Sequence, residues 1–323
     1  MGEPGRPPTG DRPRRREARS GRRPWALLIA ATFASILPAC CSPDRHGTVT
    51  WPQGRRPIPQ EPPPAYETLV TAYNRRVQRL ERFWTPVDLR LKGVDRDGKP
   101  IDEDAGGYLQ HVRPTRVALS VNKLEKTYFY LGANESSYWW FDLFTEPRVA
   151  LVGTHERASP VTTSRFGLPV YPLDLIEVLG ITPLPPPGPT PIPTTWAEGA
   201  TVECRVPTRG GWRRIRVDPA SFEPVSIAIE DASGRPLVFA KLSNYGVVNV
   251  IDDQAERPRV ATRVEVSFSA PGRGSLTAVL GLVQPENRVI RGTAFDLDEL
   301  KRRFTIGREI SLDAIDDPEG GLP

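Results

Sequence analysis

The sequence predicts an α+β fold that is mostly β. One strongly curved antiparallel sheet carries a long N-terminal helix and one or two short helices on its concave face. Three observations lead there. A helical apolar stripe comes first, over 65–84. Roughly eleven short strand-like runs follow, separated by local turn chemistry, which favours meander pairing over crossovers. Helices do not alternate with the strands, so a parallel α/β fold is excluded.

The helix is read from Tyr66, Leu69, Val70, Tyr73, Val77, Leu80, Phe83 and Trp84, spaced mostly by three or four. Arg75, Arg76, Gln78, Arg79 and Glu81 take the other face, and Pro86 is expected to stop it. The period then changes to two: Val87, Leu89 and Leu91 alternate with Asp88, Arg90 and Lys92. Asp95 to Gly98 supplies a turn. Strands are expected at 106–112, 116–121, 127–132, 137–143 and 148–153. Pro172 and Gly180 bracket a short helix in the expected order. From Pro183 to Pro193 there are seven prolines, which no helix or central strand survives, so 183–193 is expected as a surface loop. Strands resume at 202–206, 212–217, 225–230, 236–245, 260–269 and 275–282. A last short helix is expected at 296–304, and a loose tail at 313–323.

The chain has 323 residues, 38% hydrophobic and 25% charged, too apolar for a disordered chain. The basic excess lies in the leader. Residues 1–39 hold eight arginines against three acids, and the remainder is close to neutral at −1. The folded part therefore lacks the positive excess that nucleic-acid binding needs.

The leader is read as a signal peptide over 1–39. A basic region ends at Arg22-Arg23, which also hints at twin-arginine export. The apolar run from Trp25 to Leu37 is too short to span a bilayer. It closes on Leu37-Pro38-Ala39-Cys40, which is similar to a bacterial lipobox. Cys40 is thus the expected lipid-attachment residue, and acylation would anchor the protein to a membrane. The expected setting is the bacterial cell envelope, facing the periplasm or exterior. Residues 40–64 form a proline-rich tether, and 65–312 form one β-rich domain. An oxidising compartment allows a Cys41–Cys204 disulfide; a buried Cys204 acting as a small hydrophobe is the preferred alternative.

No catalytic constellation is visible. His46, His111 and His155 are the only histidines. No metal-ligand spacing, nucleophile elbow or phosphate loop occurs, so neither a metal nor a cofactor is expected, and the protein is read as non-enzymatic. His111 and His155 are expected on strand surfaces. Asp95, Asp97, Asp102, Glu103 and Asp104 are read as solvated turn acids. Asn134-Glu135-Ser136 is read as a turn.

The aromatic pair of runs, Thr127 to Leu131 and Ser137 to Asp142, is apolar on both faces. One face must be covered or filled by a ligand. Core packing under the first helix, a hydrophobic ligand cavity and an exposed interaction face each account for it. The residues expected to line that cavity or core are Leu89, Leu91, Leu109, Leu119, Phe129, Trp139, Phe141, Val264 and Val266.

These segments resemble a known family. The helix 65–84, the first hairpin, and Gly107-Tyr-Leu-Gln-His-Val-Arg113-Pro114-Thr-Arg116 look like the opening of the LolA/LolB-like lipoprotein-sorting family. Tyr138-Trp-Trp-Phe-Asp142 is similar to that family's aromatic strand. The resemblance covers 65–150 by motif and continues to about 300 by strand order. It implies an incomplete β-barrel closed by helices around an apolar cavity, with lipid or lipoprotein acyl chains as partners. The long tether, the 183–193 insert and the extended C-terminal portion depart from the family. The rival expectation is a structural or interaction lipoprotein with a packed core and no ligand.

Overall fold

The computed structural model describes residues 57–94, 100–158, 171–208, 210–250, 257–268 and 276–316. The chain divides into Met1–Pro52 and Gln53–Pro323, and every described residue belongs to the second unit. The leader, Cys40, Cys41, His46, the first part of the tether, Asp95, Asp97 and residues 317–323 lie outside the described residues.

Helix α1 spans Tyr66–Val77 and buries Tyr66, Leu69, Val70, Tyr73 and Val77, the expected stripe. It ends earlier than the spacing suggests. Phe83 and Trp84 belong instead to strand β1, Arg82–Val94, with Phe83 and Thr85 buried and Trp84 between them half-buried. Aromatic and β-branched residues in succession suit a pleated surface, and here tertiary pairing overrides the helical spacing. Pro86 does not end the helix. It lies within β1 where the partner changes from β15, Glu286–Asn287, to β14, Leu276–Leu282, a place where a strand proline is tolerated.

Strand β2, Pro100–Val112, begins ahead of the run expected from 106. That early part is polar, and cross-strand charges hold it. Arg90 reaches Asp102 at 3.1 Å and Asp104 at 3.7 Å, and Lys123 pairs with Glu103. The acids expected as solvated turn residues thus include three that stand in a strand. Strands β3 (Arg116–Lys123), β4 (Lys126–Ala133), β5 (Ser137–Asp142) and β6 (Val149–Thr154) lie within about two residues of expectation. So does helix α2, Pro172–Val178. Residues 183–193 carry neither helix nor strand.

After that loop come β7 (Thr194–Ala197), β8 (Thr201–Thr208), β9 (Gly211–Val217), β10 (Pro224–Asp231) and β11 (Pro236–Val247). Strands β12 (Asn249–Val250), β13 (Arg259–Phe268) and β14 complete the sheet's middle. Helix α3, Leu297–Arg303, and edge strand β16, Arg308–Ser311, close the described chain. Asp296 caps α3 by accepting from the Glu299 amide at 3.0 Å. Among the described residues, no helix is long and apolar enough to cross a membrane.

One sheet takes all the strands. Its main path runs β16-β6-β5-β4-β3-β2-β1-β14-β13-β11-β10-β9-β8-β7, with β12 and β15 paired off it. Neighbours are antiparallel except for β16 with β6 and β12 with β15. The sheet is unclosed, with β16 and β7 at its edges. Its curvature follows from α2. This helix of seven residues, about 10 Å long, touches β3 and β4 as well as β10 and β11. On a flat sheet β4 and β10 would stand roughly 34 Å apart, at about 4.8 Å per strand. Only a sheet wrapped around the helix brings both within its reach.

Two apolar clusters lie on opposite faces. The larger joins α1 and α2 to the concave face and includes Leu109, Leu119, Leu131, Tyr138, Trp140, Val202, Ile215, Ile227, Val264 and Val266. The smaller contains Tyr130, Trp139, Phe141 and Ala150 with Phe295 and Leu300 of the C-terminal segment. The aromatic strands are therefore apolar on both faces because both are covered: one by α1 and α2, the other by residues 290–306.

Candidate functional site

The concave apolar face is the candidate site, and the sequence-expected residues divide across it unevenly. Leu109, Leu119, Val264 and Val266 lie deep in the large cluster. Leu89, Leu91 and Phe129 pack against the same cluster but are only half-buried, as is Val121, the cross-strand partner of Phe129. Leu89 pairs with Leu280 and Leu91 with Ala278, which continues the apolar band onto β14. Seven of the nine residues thus share one face. Trp139 and Phe141 do not. They belong to the opposite cluster, where Phe141 and Phe304 meet edge to face at 6.1 Å. Period-two alternation decides this: Tyr138 and Trp140 are the residues of β5 that face inward.

Close packing of β5 requires glycine on its neighbours. A Cβ on Gly153 would sit 2.6 Å from the Tyr138 ring, and one on Gly132 would sit 2.5 Å from the Trp139 indole. Each glycine is the cross-strand partner of the ring that overlies it.

A cavity of about 130 Å³ opens between α2 and the ends of β10 and β11. Tyr171, Leu173, Ile229 and Leu237 supply its apolar wall, and Asp174, Glu177 and buried Glu230 also line it. Burial pushes the Asp174 carboxyl up to about 8; Glu177 adds to that shift and Arg213 opposes it. Arg213 is itself buried on the concave side of β9. Its guanidinium donates to the Thr182 hydroxyl at 2.8 Å and the Pro183 carbonyl at 3.3 Å, and lies 3.8 Å from Glu177. Cys204, nearby on β8, is a free buried thiol that burial raises to about 12, so it is unreactive at neutral pH.

The opposite end of α1 is sealed by Arg113. Its guanidinium donates to the carbonyls of Val77 at 2.7 Å and Ile181 at 3.0 Å. Arg116 forms an exposed pair with Glu135 at 2.5 Å. Residues 61–64, expected as part of the proline-rich tether, are tied to edge strand β7. The Trp196 indole donates to the Glu61 carbonyl at 2.6 Å, and the Thr194 hydroxyl to the Pro64 carbonyl at 2.7 Å.

His111 and His155 are not surface residues. His111 is fully buried, and its Nδ1 meets the Arg116 carbonyl oxygen at 2.9 Å. His155 is buried with both ring nitrogens engaged, one by the Tyr171 hydroxyl and the other by the Asn134 carbonyl at 2.7 Å. For His111 the reason is that a strand position reads the same from either face until its register is known. His155 lies beyond the end of β6, in a short 3-10 turn, His155–Arg157, that folds it inward. Asn134 does act in a turn: its side-chain oxygen accepts from the Ser136 and Ser137 amides. No group of three or more histidines, cysteines or acids that could hold a metal occurs among the described residues.

Two exposed apolar residues escaped the sequence reading. Leu124 sits at the tight β3–β4 turn with 85% of its surface exposed, between Lys123 and the Glu125-Lys126 pair. Phe144, 75% exposed, follows β5 and stacks on Tyr128 at 5.7 Å. A leucine among charged residues at a hairpin apex was the available signal.

No protein-family model matches the chain, and no curated protein matches it. Solved structures do. A LolA superfamily protein from Nitrosomonas europaea aligns with 73% of this chain and 99% of its own, at 11% identity and a TM-score of 0.43. A putative outer membrane lipoprotein-sorting protein domain from Vibrio parahaemolyticus aligns with 73% and 96%, at 10% identity and 0.43. A DUF1329 family protein from Desulfovibrio piger aligns with 74% and 99%, at 11% identity and 0.46. The chain is similar to these LolA-type and DUF1329 structures across about three quarters of its length.

Proposed function

We propose that this protein is a lipid-anchored envelope protein that binds an acyl chain of a lipid or lipoprotein between α2 and the concave face of its sheet. The observation that carries the reading is the apolar band continuing from the buried core to half-buried Leu89, Leu91 and Phe129, with a small cavity beside α2. Burial alone would hold such a chain, at roughly 25 cal/mol per Å² of apolar surface. The cavity is about 130 Å³, against roughly 300 Å³ or more for a typical small-molecule site. On this reading the cavity must widen to admit a chain, which requires α2 to shift from its packing on the sheet. Anchoring through acylated Cys40, in the cell envelope, rests on the lipobox-like sequence. Binding rather than catalysis is supported by the histidines, one sealed in the core and one saturated with hydrogen bonds.

A specific observation favours the rival reading, a packed interaction lipoprotein. Leu109, Val264 and Val266 are fully buried by neighbouring side chains of the protein itself. Native mass spectrometry of the membrane-extracted full chain separates the two. Lipid at fixed stoichiometry, lost in Leu237→Trp with an unchanged thermal melt, supports the carrier. A clean protein mass with no uptake of added palmitate or phosphatidylethanolamine overturns it.

A further inference from the structure

On the other face of the sheet, β1–β4 and the strap 288–294 enclose a cleft of about 650 Å³. We propose that this cleft binds an acidic sugar, one bearing a carboxylate or a phosphate.

The aromatic wall comes first. Trp84 and Tyr108 stack at 5.7 Å, and the Arg288 guanidinium lies 3.4 Å from the Trp84 ring centroid. Trp84 is thereby held rigid, and Tyr108 remains exposed beside it. An exposed aromatic next to a fixed one offers an apolar platform for the C–H face of a sugar ring.

The neutral polar groups come second. The register places Gln110 directly opposite Trp84, and Ser120 directly opposite Tyr108. Asn122 and Thr127 extend this set, again as direct partners. Amides and hydroxyls both donate and accept, as neighbouring sugar hydroxyls do. An acyl chain would leave all four unpaired.

The charge comes third. Arg288, Arg291 and Arg303 line the cleft, and no carboxylate does so among the described residues. Glu286 reaches Arg288 from the side at 3.3 Å. Arg291 and Arg303 have no carboxylate partner among the described residues. Guanidinium forks suit a carboxylate or phosphate better than a neutral ligand. This excess is local, because residues 40–323 carry a net charge of −1. The Tyr130 hydroxyl, donating to the Ala294 carbonyl at 2.7 Å, pins the strap that carries Arg291.

Calorimetry on the full chain in detergent tests this with trigalacturonate, N-acetylmuramic acid and glucose 6-phosphate. The expected result is that at least one binds tenfold or more tighter than its uncharged counterpart, galactotriose, N-acetylglucosamine or glucose. That binding should weaken with salt and fall at least tenfold in the Arg291→Gln/Arg303→Gln double variant, whose exposed substitutions leave the thermal melt unchanged. Trp84→Phe should keep part of the affinity. Equal binding of charged and uncharged sugars overturns the proposal. So does no binding of any of the three, or tighter binding of adenosine monophosphate or phosphatidylglycerol vesicles. Because Leu237 lies in the other cavity, Leu237→Trp should leave sugar binding intact, which keeps this test separate from that of acyl-chain binding.

Discussion

The Arg113 guanidinium donates to the Val77 carbonyl oxygen across 2.7 Å, tying the start of the β2–β3 connection to the last residue of α1. The same group donates to Ile181 at 3.0 Å, so one side chain joins the sheet, α1 and the segment after α2. Burial lowers the affinity of this guanidinium for its proton, and Glu81 partly offsets the effect. The Val77 carbonyl also accepts from the Leu80 amide at 2.9 Å, so Arg113 adds a charged donor to a helix end that the backbone satisfies only in part.

Arg113→Met should therefore destabilise the protein by about 2–4 kcal/mol, leaving two inward carbonyls without a charged donor. Arg113→Lys should restore only part of this, since an ammonium lacks the planar fork. Urea denaturation reads both. Equal stability of the methionine variant and the parent would show that water replaces the contact.

Gly153 and Tyr138 should couple strongly. Gly153→Ala places a methyl 2.6 Å from the Tyr138 ring and should cost about 1–3 kcal/mol through overpacking. In a Tyr138→Leu background the same change should cost much less. A double-mutant cycle measures the coupling, and additive losses would refute the clash.

Acid should destabilise the fold through His111. Burial lowers its pKa from 6.5 to about 4, with the Arg113 charge adding to the shift and the bond to the Arg116 carbonyl opposing it. Because the unfolded chain binds the proton more readily, stability is full above pH 6.5 and declines as pH falls towards 4. The loss approaches roughly 3 kcal/mol. His111→Gln should flatten that slope. Asp174 acts in the opposite direction: its pKa is raised, so stability declines as pH rises from about 4 to about 8. Its side chain keeps some solvent contact, so this second slope should be the shallower, and Asp174→Asn should remove it. Denaturation midpoints across pH 4–9 test both.

The sheet was legible wherever alternation was strong. Strands β3 to β6 and β8 to β14, apart from the two-residue β12, follow from period two and turn residues. Four short strands were not legible. β7, β12, β15 and β16 have two to four residues each, too few for any periodicity, and long-range pairing alone defines them. The polar start of β2 was hidden because ion pairs replace apolar alternation there. The concave-face residues were legible as apolar, but the side that β5 presents was not. Alternation separates Trp139 from Trp140 without saying which faces inward. The arginine and aromatic cleft was illegible, because β4 meets the strap 164 residues further along the chain, and β1 meets it from further still.

Trp139 tests that last distinction. It is fully buried against the C-terminal segment, on the face away from α1 and α2. Trp139→Ala should cost about 3–5 kcal/mol, since the cavity it leaves lies in a rigid sheet. The loss should fall first on the strap and α3, whose Phe295 and Leu300 share its cluster. Hydrogen exchange should accelerate at the Leu300 and Phe304 amides, which bond within that segment. Amides of α1 should change little. Acyl-chain uptake by the surviving folded protein should persist, because the residue lies outside the concave face. Tyr138→Ala and Trp140→Ala, on the inner face, should disturb α2 and uptake together. If Trp139→Ala instead abolished uptake while the strap stayed protected, the two faces would be energetically one core, and the proposed separation of the acyl-chain and sugar sites would fail.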